Sequence, residues 1–352
     1  MINSDYNFLT KLLHRMALGS KSVGEMSFDM EKAAFLNKED SLQVSNKHLF
    51  VSGLARSGTT ALLRNLHQTK RFVSLTYADM PFVLAPNAWE KIKTGSSNTE
   101  LKERAHNDGI YIGNESPEAL DEFFWKVFLD DKYIQKDRLI SIDIPAAVFE
   151  DYKKYIALIL RKYHQENNQR YLSKNNNNIL RLKVILREFP ESYIVIPFRN
   201  PLQQALSLLK QHNLFCELQQ RNSFVLDYMN WIGHHEFGLN QKPFYLDNDQ
   251  IFDKILQSDQ KSINYWLLSW LNYYSYVLNH FVGPGCVFVS YEKLCKDPAG
   301  ILNRVFQQLE LEREIFNTEP FQPKERSSPE ADPQILGECM AIYDQLSKLE
   351  GE

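Results

Sequence analysis

Short apolar runs separated by longer helical patterns organise this chain. Leu49 to Val51, Phe72 to Leu75, Leu139 to Ile144, Tyr193 to Phe198 and Val287 to Ser290 read as strands. Between most of them the apolar positions recur with helical spacing. Strands that alternate with helices predict a parallel sheet covered on both faces, an α/β fold of three αβα layers whose ligands gather at the strands' carboxyl ends. Ahead of the first strand, Phe8, Leu9, Leu12, Leu13, Met16 and Leu18 run up to Gly19 and predict a docking helix with a glycine stop. Trp266, Trp270, Tyr273, Tyr274 and Val277 share one helix face and read as core.

The polar stretches fall near predicted strand ends, where long excursions form mobile lids or substrate loops rather than domain boundaries. Lys91 to Gly113 is one, and Ser173 to Asn178, with its run of four asparagines, is another. Asn213 to Ser262 is irregular and rich in His, Phe and Gln, which suggests an insertion on the side of a second substrate. The 352 residues are therefore expected to form one domain: a lead-in over 1–47, a core with insertions over 48–311, and a C-terminal loop and helix over 312–352.

Composition narrows the class. With 43% apolar and 24% charged residues the chain is an ordinary globular one, and its formal charge of −4 gives no global attraction to nucleic acid or acidic membranes. Any anion site must be a local concentration of Arg and Lys. Cys216, Cys286, Cys295 and Cys339 show no Cys-x-x-Cys pair and no zinc spacing, so they read as buried or free thiols and no metal site is expected. The charged start and the lack of a run of about 18 apolar residues predict a protein without a membrane span, cytoplasmic in location.

The first strand candidate runs into Ser52-Gly53-Leu54-Ala55-Arg56-Ser57-Gly58-Thr59-Thr60. Gly53 and Gly58 let the backbone turn tightly and approach an anion, and the amides opening the next helix lie at the positive end of its dipole. The spacing is that of a P-loop, so the expected fold is P-loop nucleoside-triphosphate-hydrolase-like. Thr59, however, stands where the lysine of such a loop belongs, and the cation sits earlier, at Arg56. A site that splits ATP or GTP needs that lysine on the β- and γ-phosphates. The loop is therefore built for a different phosphorylated donor.

A second strand-to-helix segment, Tyr193 to His212, carries Arg199 at its strand end and Ser207 eight residues on. With these two motifs in this order, the chain resembles the sulfotransferases that use 3′-phosphoadenosine 5′-phosphosulfate (PAPS). Val287 to Pro298, with Tyr291-Glu292-Lys293-Leu294, resembles that family's late strand. The similarity spans roughly Leu49 to Leu311 and looks closer to the bacterial branch and to tyrosylprotein sulfotransferases than to the cytosolic phenol and steroid enzymes, whose Arg-Lys-Gly and Gly-x-x-Gly-x-Trp-Lys signatures are missing. The resemblance implies that Arg56, Ser57, Gly58, Thr59 and Thr60 hold the 5′-phosphosulfate and that Arg199 and Ser207 hold the 3′-phosphate. It also implies that Tyr291 lies near the nucleotide, and that Arg326 in the late Pro-rich loop adds a contact. The second substrate would be a hydroxylated acceptor.

Sulfuryl transfer to a hydroxyl needs a group that takes the hydroxyl's proton. Glu115-Ser116-Pro117-Glu118-Ala119-Leu120-Asp121-Glu122 resembles the element that carries the proposed base in tyrosylprotein sulfotransferases, with Glu118 at the matching position. The same residues also read as a helix start, with Ser116 as N-cap and Pro117 at the first helical position, which would favour ionised Glu118 and weaken it as a base. Glu122 and Glu115 are its neighbours to test, His106 and His212 are less suited, and Lys174 is the next cation after Arg56. Two other readings compete: a nucleotide-dependent kinase or phosphohydrolase, which needs an acidic magnesium ligand at a strand end, and a nucleotide-binding protein without chemistry.

Overall fold

The computed structural model describes residues 7–36, 47–93, 102–103, 111–163, 169–313, 315–316, 318 and 331–350. Its strands, in chain order, are β1 (Leu49–Val51), β2 (Phe72–Val73), β3 (Lys102–Glu103), β4 (Tyr111–Ile112), β5 (Leu139–Ile140), β6 (Arg170–Lys174), β7 (Tyr193–Phe198), β8 (Phe244–Tyr245) and β9 (Cys286–Ser290). Five of them form the central sheet in the order β2-β6-β1-β7-β9, with every pair parallel. Alternation along β1 divides the core. Leu49 and Val51 pack with Leu62, Leu66, Leu302 and Phe306 under the helices Thr59–Gln68 and Pro298–Gln308, whereas Phe50 belongs to the larger cluster on the other face. Each such fully buried Leu, Val or Phe contributes about 1.5–3 kcal/mol through burial, which holds both helix layers against the sheet.

Two expectations need correction. Leu139–Ile140 is a strand, but it pairs with β8 outside the central sheet, and the predicted run to Ile144 does not continue as strand. The missing central strand is β6, which ends inside the stretch from Ser173 expected to be a polar excursion. Its polar side chains conceal it: Tyr171 and Ser173 donate to the buried carboxylate of Asp121, at 3.2 and 2.6 Å, so this face is polar yet satisfied. The asparagine run that follows is a buried 3₁₀ turn, Asn176–Leu180, rather than a mobile loop. Asn175 donates to Glu122 at 2.7 Å, Asn176 to Glu236 at 2.9 Å, Asn177 to the Gly233 carbonyl at 3.0 Å and Asn178 to Ser173 at 3.2 Å.

The segment 213–262 is likewise more regular than its sequence suggests. Asn213 lies inside the long helix Pro201–Arg221, and the helices Ser223–Trp231 and Asp249–Gln257 follow. The N-terminal helix Phe8–Leu18 forms and ends on Gly19 as expected, but Phe8, Leu9, Leu12 and Met16 of its expected docking face are exposed, and it packs on its neighbours through His14, Ala17 and Leu18. Of Lys91 to Gly113, residues 94–101 and 104–110 lie outside the described residues, and β3 pairs with β4 antiparallel. The aromatic stripe of the helix Ile263–His280 is core, as expected. It also braces the sheet's carboxyl edge: the Tyr274 hydroxyl donates to the Pro197 carbonyl at 2.8 Å and the Trp270 indole N–H to the Arg199 carbonyl at 3.2 Å. Among the described residues, no helix is long and apolar enough to cross a membrane.

Candidate functional site

Parallel pairing puts the carboxyl ends of β1, β6, β7 and β9 on one edge. Val51 pairs with Lys174 on one side and with Val195 on the other, and Phe198 pairs with Ser290. The loops leaving these strands carry Gly53 to Gly58, Asn175, Arg199 and Tyr291. The chain turns tightly at Arg56, with φ of 71°, and at Gly58, with φ of 97°, before the helix Thr59–Gln68 begins. Glycine is required at 58 for a second reason, because a Cβ there would lie 2.8 Å from the Tyr291 ring. A Cβ at Gly53 would meet the Pro197 ring and the Ser57 hydroxyl, both at 2.8 Å, so this residue lets the first loop pack against β7.

Three of the expected residues converge above this loop. The Arg56 Nε donates to the Ser207 hydroxyl at 3.2 Å. Arg199 stacks its guanidinium over the Tyr291 ring, 4.4 Å from the centroid, and its Nη1 lies 3.5 Å from the Arg56 carbonyl. Arg199 is 6% exposed, and its Nε has no hydrogen-bond partner among the described residues. No carboxylate there forms a salt bridge with it, although a buried charge is costly unless paired. Burial pushes the Tyr291 hydroxyl up to about 12 while the Arg199 charge opposes that shift, so the ring is neutral at physiological pH. Arg326 lies outside the described residues.

Glu118 reaches the same edge by a different route than a helix start. The helix begins at Glu122 with Asp121 at its N-cap, four residues beyond Glu118. Ser116 instead bonds back to the Gly113 N–H, and the Glu118 N–H donates to the Leu75 carbonyl at 3.0 Å beside a Thr76–Pro117 bridge. Glu118 therefore lies on an extended segment, and the helix-dipole objection to it as a proton acceptor does not apply. Its carboxylate accepts from the Tyr77 hydroxyl at 2.7 Å and from the Ala119 N–H at 2.8 Å, and it faces the Lys174 ammonium at 3.8 Å. Lys174 ends β6 level with Val51, two positions before Gly53.

Glu122 has another job. It is 1% exposed and receives both terminal nitrogens of Arg181, at 2.8 and 2.6 Å, together with the Tyr133 hydroxyl. Asp121 is buried beside it, and burial pushes its carboxyl up against the hydrogen bonds from Ser173 and Tyr171. This closed polar network ties the Glu118 segment to β6. Glu115 is exposed. Among the described residues, no group of three or more His, Cys, Asp or Glu is placed to hold a metal ion, and the four cysteines are unpaired.

A cradle of backbone amides at a parallel sheet's carboxyl edge, flanked by Arg56 and Arg199, is an anion site in chemical character. A family model described as "Sulfotransferase family" matches residues 48–253, more than half of the chain, and the protein belongs to that family. Among solved structures it is similar to the sulfotransferase STF1 from Mycobacterium tuberculosis H37Rv, at 12% identity and TM-score 0.51 over 99% of this chain and 88% of that one. It is also similar to the sulfotransferase STF9 from Mycobacterium avium, at 13% identity and TM-score 0.51 over 98% of this chain and 79% of that one. At such identities the likeness is one of fold, the P-loop-like α/β fold expected from the sequence. No curated protein matches the sequence significantly.

Proposed function

We propose that this sulfotransferase takes its sulfuryl group from PAPS and passes it to a hydroxyl acceptor, with all 352 residues acting as one domain. The observation that carries this reading is Arg199: a buried guanidinium with an unpartnered Nε, stacked on Tyr291 and lacking a carboxylate partner among the described residues. Such a group fits a second phosphate beside the one cradled by the loop. Arg199 and Ser207 are assigned to the 3′-phosphate, and Tyr291 to one side of the nucleotide. The amides of Ser57, Gly58, Thr59 and Thr60, with Arg56, are assigned to the 5′-phosphosulfate.

PAPS supplies the sulfuryl group and leaves as 3′-phosphoadenosine 5′-phosphate (PAP). The acceptor oxygen forms a bond to sulfur as the bond from sulfur to the phosphate oxygen breaks, and Glu118 takes the acceptor's proton. Arg56 and the loop amides neutralise charge growing on the departing oxygen, an effect of the kind that makes preorganised donors worth about 3 kcal/mol or more each in acyl and phosphoryl transfer. Tyr77 and Lys174 hold the Glu118 carboxylate in place. Incubation with sulfur-labelled PAPS and a fractionated extract tests this reading: label should pass to an acceptor fraction in the wild type and fail to pass in Glu118→Gln. ATP hydrolysis without label transfer would favour the kinase or phosphohydrolase reading.

A further inference from the structure

The Arg199–Tyr291 stack is held from outside the strands that carry it. Arg199 lies between Phe198 and Asn200, and Tyr291 between Ser290 and Glu292, and all four of these neighbours are fixed by the same few side chains. The Tyr343 ring of the C-terminal helix Pro333–Leu349 packs edge-on against Phe198, with centroids 5.7 Å apart, and its hydroxyl donates to Glu292 Oε2 at 3.2 Å. Glu292 Oε1 accepts the Asn200 N–H at 2.9 Å, and Oε2 also accepts from the Ser290 hydroxyl at 3.2 Å. Glu292 thus ties the chain leaving β7 to the chain leaving β9, beside the ring and guanidinium that stack at 4.4 Å.

A second clamp comes from the end of the same helix. Glu350 is 2% exposed, and its Oε1 accepts the Ser290 N–H at 2.8 Å and Arg304 Nη2 at 2.9 Å. Its Oε2 faces Lys293 Nζ at 2.9 Å. Arg304 also donates to the Phe288 carbonyl at 3.2 Å, so the carboxyl end of β9 is bound to the helix through backbone and side chains alike. The use of charge gives these contacts a consequence for binding. Glu292 follows Tyr291 in the chain, yet its oxygens are taken up by an amide and two hydroxyls, and it forms no salt bridge with Arg199 among the described residues. A carboxylate used in this way fixes the frame around Arg199 and leaves the guanidinium charge for an anion. A stack ordered before binding spares the ligand the cost of ordering it.

We infer that the helix Pro333–Leu349 is a working part of the donor site, and that Glu292, Tyr343 and Glu350 are positioning residues that hold Arg199 against Tyr291 for an incoming anion. Only the identity of that anion, the 3′-phosphate of PAP, rests on the proposed donor reading. None of the three is assigned a contact with the anion. Tyr343 acts through Phe198 and Glu292, Glu292 through Asn200 and Ser290, and Glu350 through Ser290.

NMR of the full chain with ¹⁵N-labelled arginine reads the stack without any ligand. The Arg199 Nε–H signal, identified by its loss in Arg199→Lys, should lie upfield in the wild type because it sits over the Tyr291 ring. It should move downfield in Tyr343→Phe and further in Glu292→Ala, with Glu292→Gln, which keeps one acceptor for the Asn200 N–H, nearer the wild type. Cys339→Ala is the control: it alters the same helix at a buried thiol that bonds the Leu267 carbonyl, and should leave the signal in place. Calorimetric titration of the same proteins should show the preference for PAP over ADP falling about 3- to 10-fold in Tyr343→Phe and about 10-fold or more in Glu292→Ala, and holding in Cys339→Ala. An unmoved signal in both Tyr343→Phe and Glu292→Ala, a wild-type preference for PAP that persists in both, or the same changes in Cys339→Ala would overturn the inference. A wild type that binds PAP and ADP equally while the signal responds as expected would remove the donor reading and leave the positioning of the stack standing. If Glu292→Ala does not fold, Tyr343→Phe against Cys339→Ala still decides.

Discussion

Arg56 Nε donates to the Ser207 hydroxyl at 3.2 Å, and this bond joins the two anion elements that the sequence displays 151 positions apart. One residue belongs to the first loop and the other is buried on the helix Pro201–Arg221. Their proposed roles differ, and the difference is measurable. Arg56→Ala should leave the fold intact and slow transfer about 100-fold, as expected for the loss of one charge contact made at the transition state. Ser207→Ala should instead weaken PAP binding roughly 10-fold, as expected for a hydrogen bond to a charged group, and leave ADP binding unchanged. Single-turnover rates and titrations on both variants check the division. Equal losses of rate and affinity in both would show that the two residues act as one unit.

Glu118 and Glu122 are separated by one helical turn of sequence but by opposite chemistry. Glu118→Gln keeps the size of the side chain and removes the proton acceptor, so turnover should fall about 10²- to 10⁴-fold while PAP binding and melting temperature persist. Glu122→Gln should do the reverse. It leaves Arg181 buried without its carboxylate, and the cost of breaking a buried pair is about 3–5 kcal/mol of stability. Thermal melts and turnover of the two variants distinguish these outcomes. An active Glu118→Gln enzyme would withdraw the assignment of the base.

The sheet's carboxyl edge was legible in the sequence because its backbone geometry demands particular residues. Gly58 has positive φ and touches a ring, and Arg199 sits where an apolar strand stops, so both stand out from their surroundings. What the sequence concealed is the polar interior. β6 lacks an apolar pattern because Tyr171 and Ser173 are bonded to Asp121, 50 and 52 residues away in sequence, and the asparagine turn that follows it is bonded to Glu122 and Glu236, 53 and 60 residues away. The helix start was misplaced for a related reason. Ser116 and Pro117 have the chemistry of a cap, but the bridge to Thr76 holds them extended.

His48 gives the stability a pH dependence with a definite sign. Its ring is buried against Phe50, Tyr171 and Phe189, neither ring nitrogen has a hydrogen-bond partner among the described residues, and burial lowers it from 6.5 to about 3. In the unfolded chain the imidazole takes up a proton below about pH 6.5, whereas the folded chain resists until about pH 3. The contribution is therefore fully present above pH 6.5 and is lost as pH falls toward 3, at up to about 1.4 kcal/mol per pH unit. His48→Phe should lose less stability than the wild type between pH 6.5 and pH 4. Urea melts of both proteins across that range provide the comparison, and parallel curves would show that His48 does not titrate on unfolding.

The donor assignment depends on a site for a 3′-phosphate, and calorimetric titration with PAP and with ADP in excess EDTA tests it most directly. A sulfuryl group carries less negative charge than a terminal phosphoryl group, so the loop amides and Arg56 can meet its demand without the magnesium that a kinase or hydrolase site uses. PAP should bind at least 100-fold more tightly than ADP, corresponding to about 2.7 kcal/mol, with its affinity unchanged when magnesium replaces the chelator and the preference largely lost in Arg199→Ala. Equal affinities for PAP and ADP, or PAP binding that appears only with magnesium, would contradict the assignment.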